Sequence, residues 1–152
     1  MPSIISNTSC LILLDNIDAL DILGTLYQNI FLTEEVVAEF GKPLESWMTV
    51  LAVKDQNYLR ILNASVDLGE ASTIALALQL PGDNVMILDD LKARKLAKQL
   101  QLKFTGLLGV LLKAKQQHVI VSVGDVLIRL KQANFRVSED LEKEVLKLAG
   151  EC

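Results

Sequence analysis

Residues 66–100, VDLGEASTIALALQLPGDNVMILDDLKARKLAKQL, leave the chain few folds to choose from. They read as helix, tight turn, buried strand and helix, with acids where the backbone changes state. Glu70 opens the first helix, and Asp89–Asp90 close the strand. Val85–Leu88 is a short apolar run behind the turn residues Pro81, Gly82, Asp83 and Asn84. That is the pattern of a strand covered on both faces, as in a parallel sheet clad with helices. In open parallel sheets, ligands collect just beyond the carboxyl ends of the strands. Asp89 and Asp90 lie at such an end.

The flanking sequence continues the alternation. Strand patterns fall at Ser3–Ser6, Asn29–Leu32, Trp47–Val53 and, minimally, Lys103–Phe104. Short helices are expected at Leu11–Leu14 and Ala19–Leu26, split by Asp15–Asp18. Thr33 caps a helix running to Phe40, where Gly41 and Pro43 stop it. A weaker helix spans Asp55–Leu62, and Thr105-Gly106 opens another that runs to about Gln117. Ser122 begins a capping box before Val126–Gln132, and Ser138 caps Glu139–Ala149. Strands alternating with helices over 152 residues, with no repeat or linker, predict one α/β domain with a parallel sheet.

Hydrophobic residues make up 51% of the chain, yet no window is long and apolar enough to span a bilayer. The charge-free start, Met1–Leu14, is broken by Pro2, Ser3, Ser6, Asn7, Thr8 and Ser9. It lacks the basic start and cleavage site of a signal peptide. The surplus apolar surface is expected to pack helices on the sheet and to serve self-association or a small partner protein, near Leu11–Leu26. Cys10 and Cys152 have no pairing or metal-ligand spacing, as expected of a cytoplasmic protein. Net charge is −4 but uneven: −10 over residues 1–90, +9 over 91–136 and −3 over 137–152. A basic segment after an acidic one would seat a polyanion beside carboxylates, or it is simply a set of solvated helix faces.

Asn7, Glu39, Glu70 and Asp89/Asp90 are the candidate site residues. Each has a structural explanation as well. Asp67-x-x-Glu70 fits a capping box, and Asp89 or Asp90 suits the cap of the helix Leu91–Leu100. Glu35 and Glu39 are an i, i+4 pair of like charge. What singles them out together is placement: strand ends and helix starts on one side of a sheet converge, and converging carboxylates need a divalent cation. Other chemistries lack support. His118 is the only histidine, with no Ser or Cys partner, and no Walker-type loop or GxGxxG is present. The helix start Thr105-Gly106 would offer amides to a phosphate, or it is a cap with a close-packing glycine.

These motifs resemble the PIN domain. The resemblance rests on Asn7-Thr8-Ser9 after an apolar strand and on Val36-x-x-Glu39-Phe40. Leu68-Gly69-Glu70-Ala71, Ile87-Leu88-Asp89-Asp90 before a basic helix, and Thr105-Gly106-x-Leu108-Gly109 complete it. The closer likeness is to the branch related to the VapC toxins of toxin–antitoxin pairs, over nearly the whole chain. It implies a three-layer α/β/α sandwich with a central parallel sheet, and an endoribonuclease acting on single-stranded RNA with Mg²⁺ or Mn²⁺. Carried over, Asn7, Glu39, Glu70 and Asp90 take the metal-holding positions, with Asp89 the alternative at the last. Thr8 and Ser9 would support them by hydrogen bonds. Lys92, Arg94, Lys95, Lys98, Thr105 and Gly106 would face the RNA. A small antitoxin and a homo-oligomer are the implied protein partners. The chain departs from the family pattern at Asn7, where an Asp is usual. An amide oxygen can bind a hard cation but brings no charge, so the alternative is a catalytically inactive PIN-like interaction protein.

Overall fold

The computed structural model describes residues 2–151. Its strands are β1 (Ser3–Ser6), β2 (Ile30–Thr33), β3 (Met48–Leu51), β4 (Asn84–Ile87) and β5 (Lys103–Thr105). They form a single all-parallel sheet in the order β3-β2-β1-β4-β5. The first helices are α1 (Thr8–Asn16), α2 (Asp21–Tyr27), α3 (Glu34–Phe40), α4 (Gln56–Asn63) and α5 (Leu68–Gln79). Then come α6 (Leu91–Gln99), α7 (Leu107–Gln116), α8 (Val123–Gln132) and α9 (Glu139–Leu148).

Alternation along the strands sends neighbouring side chains to opposite faces. Ile4, Leu32 and Ile87 enter one core with Leu11, Leu14, Leu23, Val110 and Leu127. Ile5, Met86 and Leu88 enter the other with Leu59, Ile74 and Ala93. Helices therefore cover both faces, giving the three-layer α/β/α sandwich. The chain lays β1, β2 and β3 outward in one direction. It then crosses back through α4 and α5 to place β4 on the other side of β1. The order reverses between β1 and β4, so that step is the topological switch point.

Some boundaries differ from the sequence pattern, for local reasons. The first helix starts at Thr8, three residues before its apolar run, because Asn7 is already extended at φ −80° and ψ 179°. Strand β4 begins at Asn84, which composition assigns to the turn. The Asn84 Nδ2 donates to the carbonyls of Ala77 and Leu80, tying off the end of α5. Its backbone is left to pair with Ser3. Strand β3 is shorter than Trp47–Val53: the Gln79 and Gln56 side chains donate to the Ala52 and Val53 carbonyls, which draws that segment off the edge.

The apolar stretch Leu11–Leu26 is spent on the chain's own core. Within it only Ile12 is a large exposed hydrophobic side chain, at 40%. Cys10 is a buried thiol; Cys152 lies outside the described residues. Among the described residues no helix is long and apolar enough to cross a membrane.

The Glu151 side chain ties the end of the described chain to the start of α8. The Glu151 carboxylate accepts from Val123 N at 2.7 Å, Gly124 N at 3.0 Å and Ser122 Oγ at 2.9 Å, and pairs with Lys115 Nζ at 2.9 Å. It thus sits on the N-terminus of α8, where the helix dipole favours an anion. The Lys115 ammonium first, and then the donated hydrogen bonds, lower its carboxyl from 4.5 to about 2. A lowered folded-state pKa adds stability that is complete above the unfolded value and is lost as pH falls through the folded one. Glu151→Gln should therefore lower the melting temperature by a few degrees at pH 7, with the gap to wild type closing between pH 4.5 and about 2. Thermal melts of both proteins across that range check this.

Candidate active site

At the carboxyl end of the sheet, where β1 meets β4, lies a cleft of about 200 Å³. It is lined by Asn7, Thr8, Ser9, Ile12, Glu39, Asp67 and Glu70. Asn7 comes directly after the last residue of β1 and is pinned by its amide to the Ile87 carbonyl, at 3.2 Å. Its side chain is only 3% exposed. Ser9 Oγ donates to Asn7 Oδ1 at 3.3 Å, and the Asn7 NH₂ has no partner among the described residues. Thr8 Oγ1 donates to Glu39 Oε1 at 3.0 Å.

Glu39 reaches the cleft from α3 because residue 69 has no side chain. A Cβ on Gly69 would collide with Glu39 Oε1 and come within 3.1 Å of Thr8 Oγ1. The Leu68-Gly69-Glu70 motif thus does two jobs: it clears room for one acid and carries the next. Asp67 caps α5, its Oδ1 accepting from Glu70 N at 2.9 Å. That is one half of a capping box. The other half, from the Asp67 amide back to the Glu70 carboxyl, is the weakest of the influences on that carboxyl, so capping does not decide its state.

Glu70 is instead nine-tenths buried among other acids. Burial, then the Asp67 carboxylate, then that of Asp90 raise its carboxyl from 4.5 to about 7. Asp90 is not among the residues that line the cleft, though its charge acts on Glu70. It also caps α6, with Oδ2 accepting from Ala93 N at 3.0 Å.

Asp89 goes elsewhere. Both of its oxygens accept from Leu107 N at 3.2 Å, and its Oδ1 pairs with Arg94 at 3.3 Å. Burial raises its carboxyl, against the Leu107 amide and Arg94, which lower it. It faces a separate hollow with Arg94, Gly106 and Phe135. Of the adjacent pair, only Asp90 acts on the cleft. The same contacts redirect three of the residues expected to face RNA. Arg94 donates to the Leu88 carbonyl and lies over the Phe104 ring, 5.4 Å from its centroid. The Leu107 amide at the start of α7 is already taken by Asp89. Gly106 is close-packed, since a Cβ there would strike Arg94 and come 2.6 Å from Asp89 Oδ1. Thr105 turns its hydroxyl to the Gly106 carbonyl. Lys92, Lys95 and Lys98 remain exposed on α6.

Two lining residues were not singled out as site residues by sequence: Ile12, on the exposed flank of α1, and Asp67. The signal for Asp67 was present, but the capping box accounted for it fully. Among the described residues, no three His, Cys, Asp or Glu side chains are close enough to hold an ion between them.

The raised Glu70 carboxyl has a consequence for stability. An acid whose folded pKa exceeds its unfolded value costs stability as pH rises from the unfolded value through the folded one. Glu70→Gln should therefore melt several degrees above wild type at pH 8 without metal, with the difference vanishing below pH 4.5. Metal-free melts across pH 4–8 test this.

One comparison with known proteins agrees with the fold. A family described as a PIN domain (DUF3368) matches residues 3–151. No curated protein and no solved structure was found to match. PIN domains are generally nucleases and typically use divalent metals. With nearly every described residue inside that match, the chain belongs to the PIN-domain family.

Proposed function

We propose that this protein is a metal-dependent endoribonuclease of the kind represented by the VapC toxins, hydrolysing phosphodiester bonds of single-stranded RNA. The observation that carries the reading is the cleft at the β1–β4 switch point, to which separate elements bring Asn7, Glu39 and Glu70, with the charge of Asp90 acting on Glu70. Carboxylate, amide and hydroxyl oxygens are the donors of a hard cation, so the residues present fit Mg²⁺ or Mn²⁺ in kind. Closing on an ion requires their side chains to draw together. Glu39, Glu70 and Asp90 would hold it, with Asn7 as a neutral ligand. The chemistry such a cation supplies is neutralisation of charge at the scissile phosphate and a water acidic enough to attack it.

The chain's own groups supply the rest. Thr8 orients Glu39 and Ser9 orients Asn7. Glu70, whose carboxyl lies near 7 without metal, would give up its proton on taking the cation. Lys92, Lys95 and Lys98 offer positive charge to an RNA backbone without ordering it by sequence. In this reading the protein works in the cytoplasm and is restrained by a small antitoxin or by self-association.

The neutral Asn7 favours a second reading, a PIN-like interaction protein that has kept the fold without the reaction. One assay separates the two. With Mn²⁺ and a single-stranded RNA, the nuclease reading expects cleavage that Glu70→Gln and Asp90→Asn each reduce by at least about a hundredfold. Asn at position 90 retains the helix cap, so lost folding does not explain a loss of rate. Asn7→Asp should strengthen Mn²⁺ binding and speed cleavage, and should lower metal-free stability through added carboxylate repulsion. Wild-type protein that neither cleaves nor gains melting temperature with Mn²⁺ would leave the interaction reading standing.

A further inference from the structure

The hollow that holds Asp89 is larger than the cleft, about 570 Å³ against about 200 Å³, and nothing in the cation reading uses it. It opens beyond β4 and β5, since Asp89 follows the one and Gly106 the other, and both line it. The cleft lies beyond β1, the next strand along. Neighbouring strands run about 4.8 Å apart, so cleft and hollow are adjacent places on one edge of the sheet. A polymer laid across the cleft along that edge reaches the hollow next.

The lining combines two kinds of surface. Leu91, Leu108, Val137 and Leu141 make it apolar, and Leu91 is open to solvent at 80%. Among them stands the Asp89–Arg94 pair, whose side chains remain 29% and 32% exposed. Arg94 spends Nε on the Leu88 carbonyl and Nη2 on Asp89, and its Nη1 has no hydrogen bond among the described residues. The apolar face of a partner helix would bury that pair with nothing to match it. A nucleobase matches both parts, having apolar faces and a hydrogen-bonding edge.

The rim adds charge and a stacking surface. Arg136 lines the hollow, is exposed, and forms no ion pair among the described residues. The residue before it is anchored: Phe135 N donates to the Leu130 carbonyl at 2.9 Å, and its ring packs against the core while lining the hollow. An aromatic ring and a planar guanidinium are the surfaces on which unpaired bases stack, and the guanidinium also meets phosphate. The exposed Lys92 and Lys95 on α6 add to the positive charge near the rim.

We propose that this hollow is a nucleotide subsite, which receives a base of single-stranded RNA next to the scissile phosphate. Arg136 is its principal contact, and the Asp89–Arg94 pair meets the edge of the base. The inference rests on the ribonuclease reading above and adds to it a place where the RNA is gripped by a base as well as by its backbone.

The test uses a short fluorescein-labelled single-stranded RNA and its abasic counterpart, with binding followed by anisotropy in EDTA so that no cleavage occurs. Arg136→Ala removes the exposed guanidinium, Arg136→Lys keeps the charge without the planar group, and Leu141→Trp fills the hollow. Arg60→Ala is the matched control, being exposed on α4 and outside the hollow. Wild-type protein should bind the base-bearing strand more tightly than the abasic one. Arg136→Ala and Leu141→Trp should each weaken the base-bearing strand about tenfold, and Leu141→Trp should leave the abasic strand unchanged. Arg136→Lys should recover affinity for the abasic strand alone, and Arg60→Ala should change neither. With Mn²⁺ present, KM should rise in Arg136→Ala and Leu141→Trp while kcat holds. Equal weakening of both strands by Arg136→Ala, with no effect of Leu141→Trp, makes Arg136 a phosphate contact and overturns the subsite. Variants that keep full RNA affinity but shed a co-purifying protein assign the hollow to a protein partner and overturn it too. In either case, cleavage by the wild type leaves the nuclease reading standing. Wild-type protein that neither binds nor cleaves RNA removes both.

Discussion

The parallel pairing of β1 with β4 is the constraint on which the site depends. Ser3, Ile4, Ile5 and Ser6 lie opposite Asn84, Val85, Met86 and Ile87, and the Asn7 amide extends the ladder to the Ile87 carbonyl. The two strands therefore end together, and the residues next along the chain from each are delivered to one edge of the sheet. After β1 the chain turns directly into α1 with Thr8 and Ser9. After β4 it passes through Asp89 and Asp90 into α6. A slip of one residue in this pairing would exchange the faces of Ile87 and Met86, each fully buried in a different core. Both cores thus hold the register that aligns the acids.

The acids are kept where they cost stability. Glu70 is buried beside Asp67 and Asp90, and no basic group offsets them. Natural folds tolerate such strain mainly at functional sites, where a ligand removes it. Glu151 shows the contrasting case. It too is drawn into the body of the protein, but three donors and an ammonium meet it, and its carboxyl is lowered rather than raised. The same residue type gives opposite electrostatics, and the partners decide which. The fold neutralises an acid that holds the chain together and leaves unneutralised the acids around the cleft.

Glycine marks the same division of labour. At position 69 the missing Cβ admits the Glu39 carboxylate to the cleft; at position 106 it admits the Asp89–Arg94 pair that fastens α6 to α7. The first opens the site, whereas the second closes a structural joint. Asp89 and Asp90 are adjacent in sequence, yet they fall on opposite sides of that division. Side chains of consecutive residues leaving a strand point in different directions, so Asp89 meets the α7 amide while Asp90 caps α6 and acts on Glu70 by its charge.

The sequence by itself determined the parallel α/β order, because hydrophobic period, caps and turn residues are local signals. Val85–Leu88 reads as a strand buried on both sides whatever it pairs with, and Thr33, Ser122 and Ser138 cap helices through their own neighbours. The sequence also nominated Asn7, Glu39 and Glu70, since each sits at a local change of backbone state. Only the tertiary structure separated the surroundings of Asp89 from those of Asp90, because the Leu107 amide and Arg94 reach Asp89 from other elements. It alone turned Arg94 inward and buried the Leu11–Leu26 surface in the core. It alone revealed Asp67 as part of the cleft wall: a capping box accounts for that residue locally, and only the approach of α3 and β4 surrounds it with other acids. Local chemistry names the groups, and long-range packing sets which of them share a dielectric and a charge.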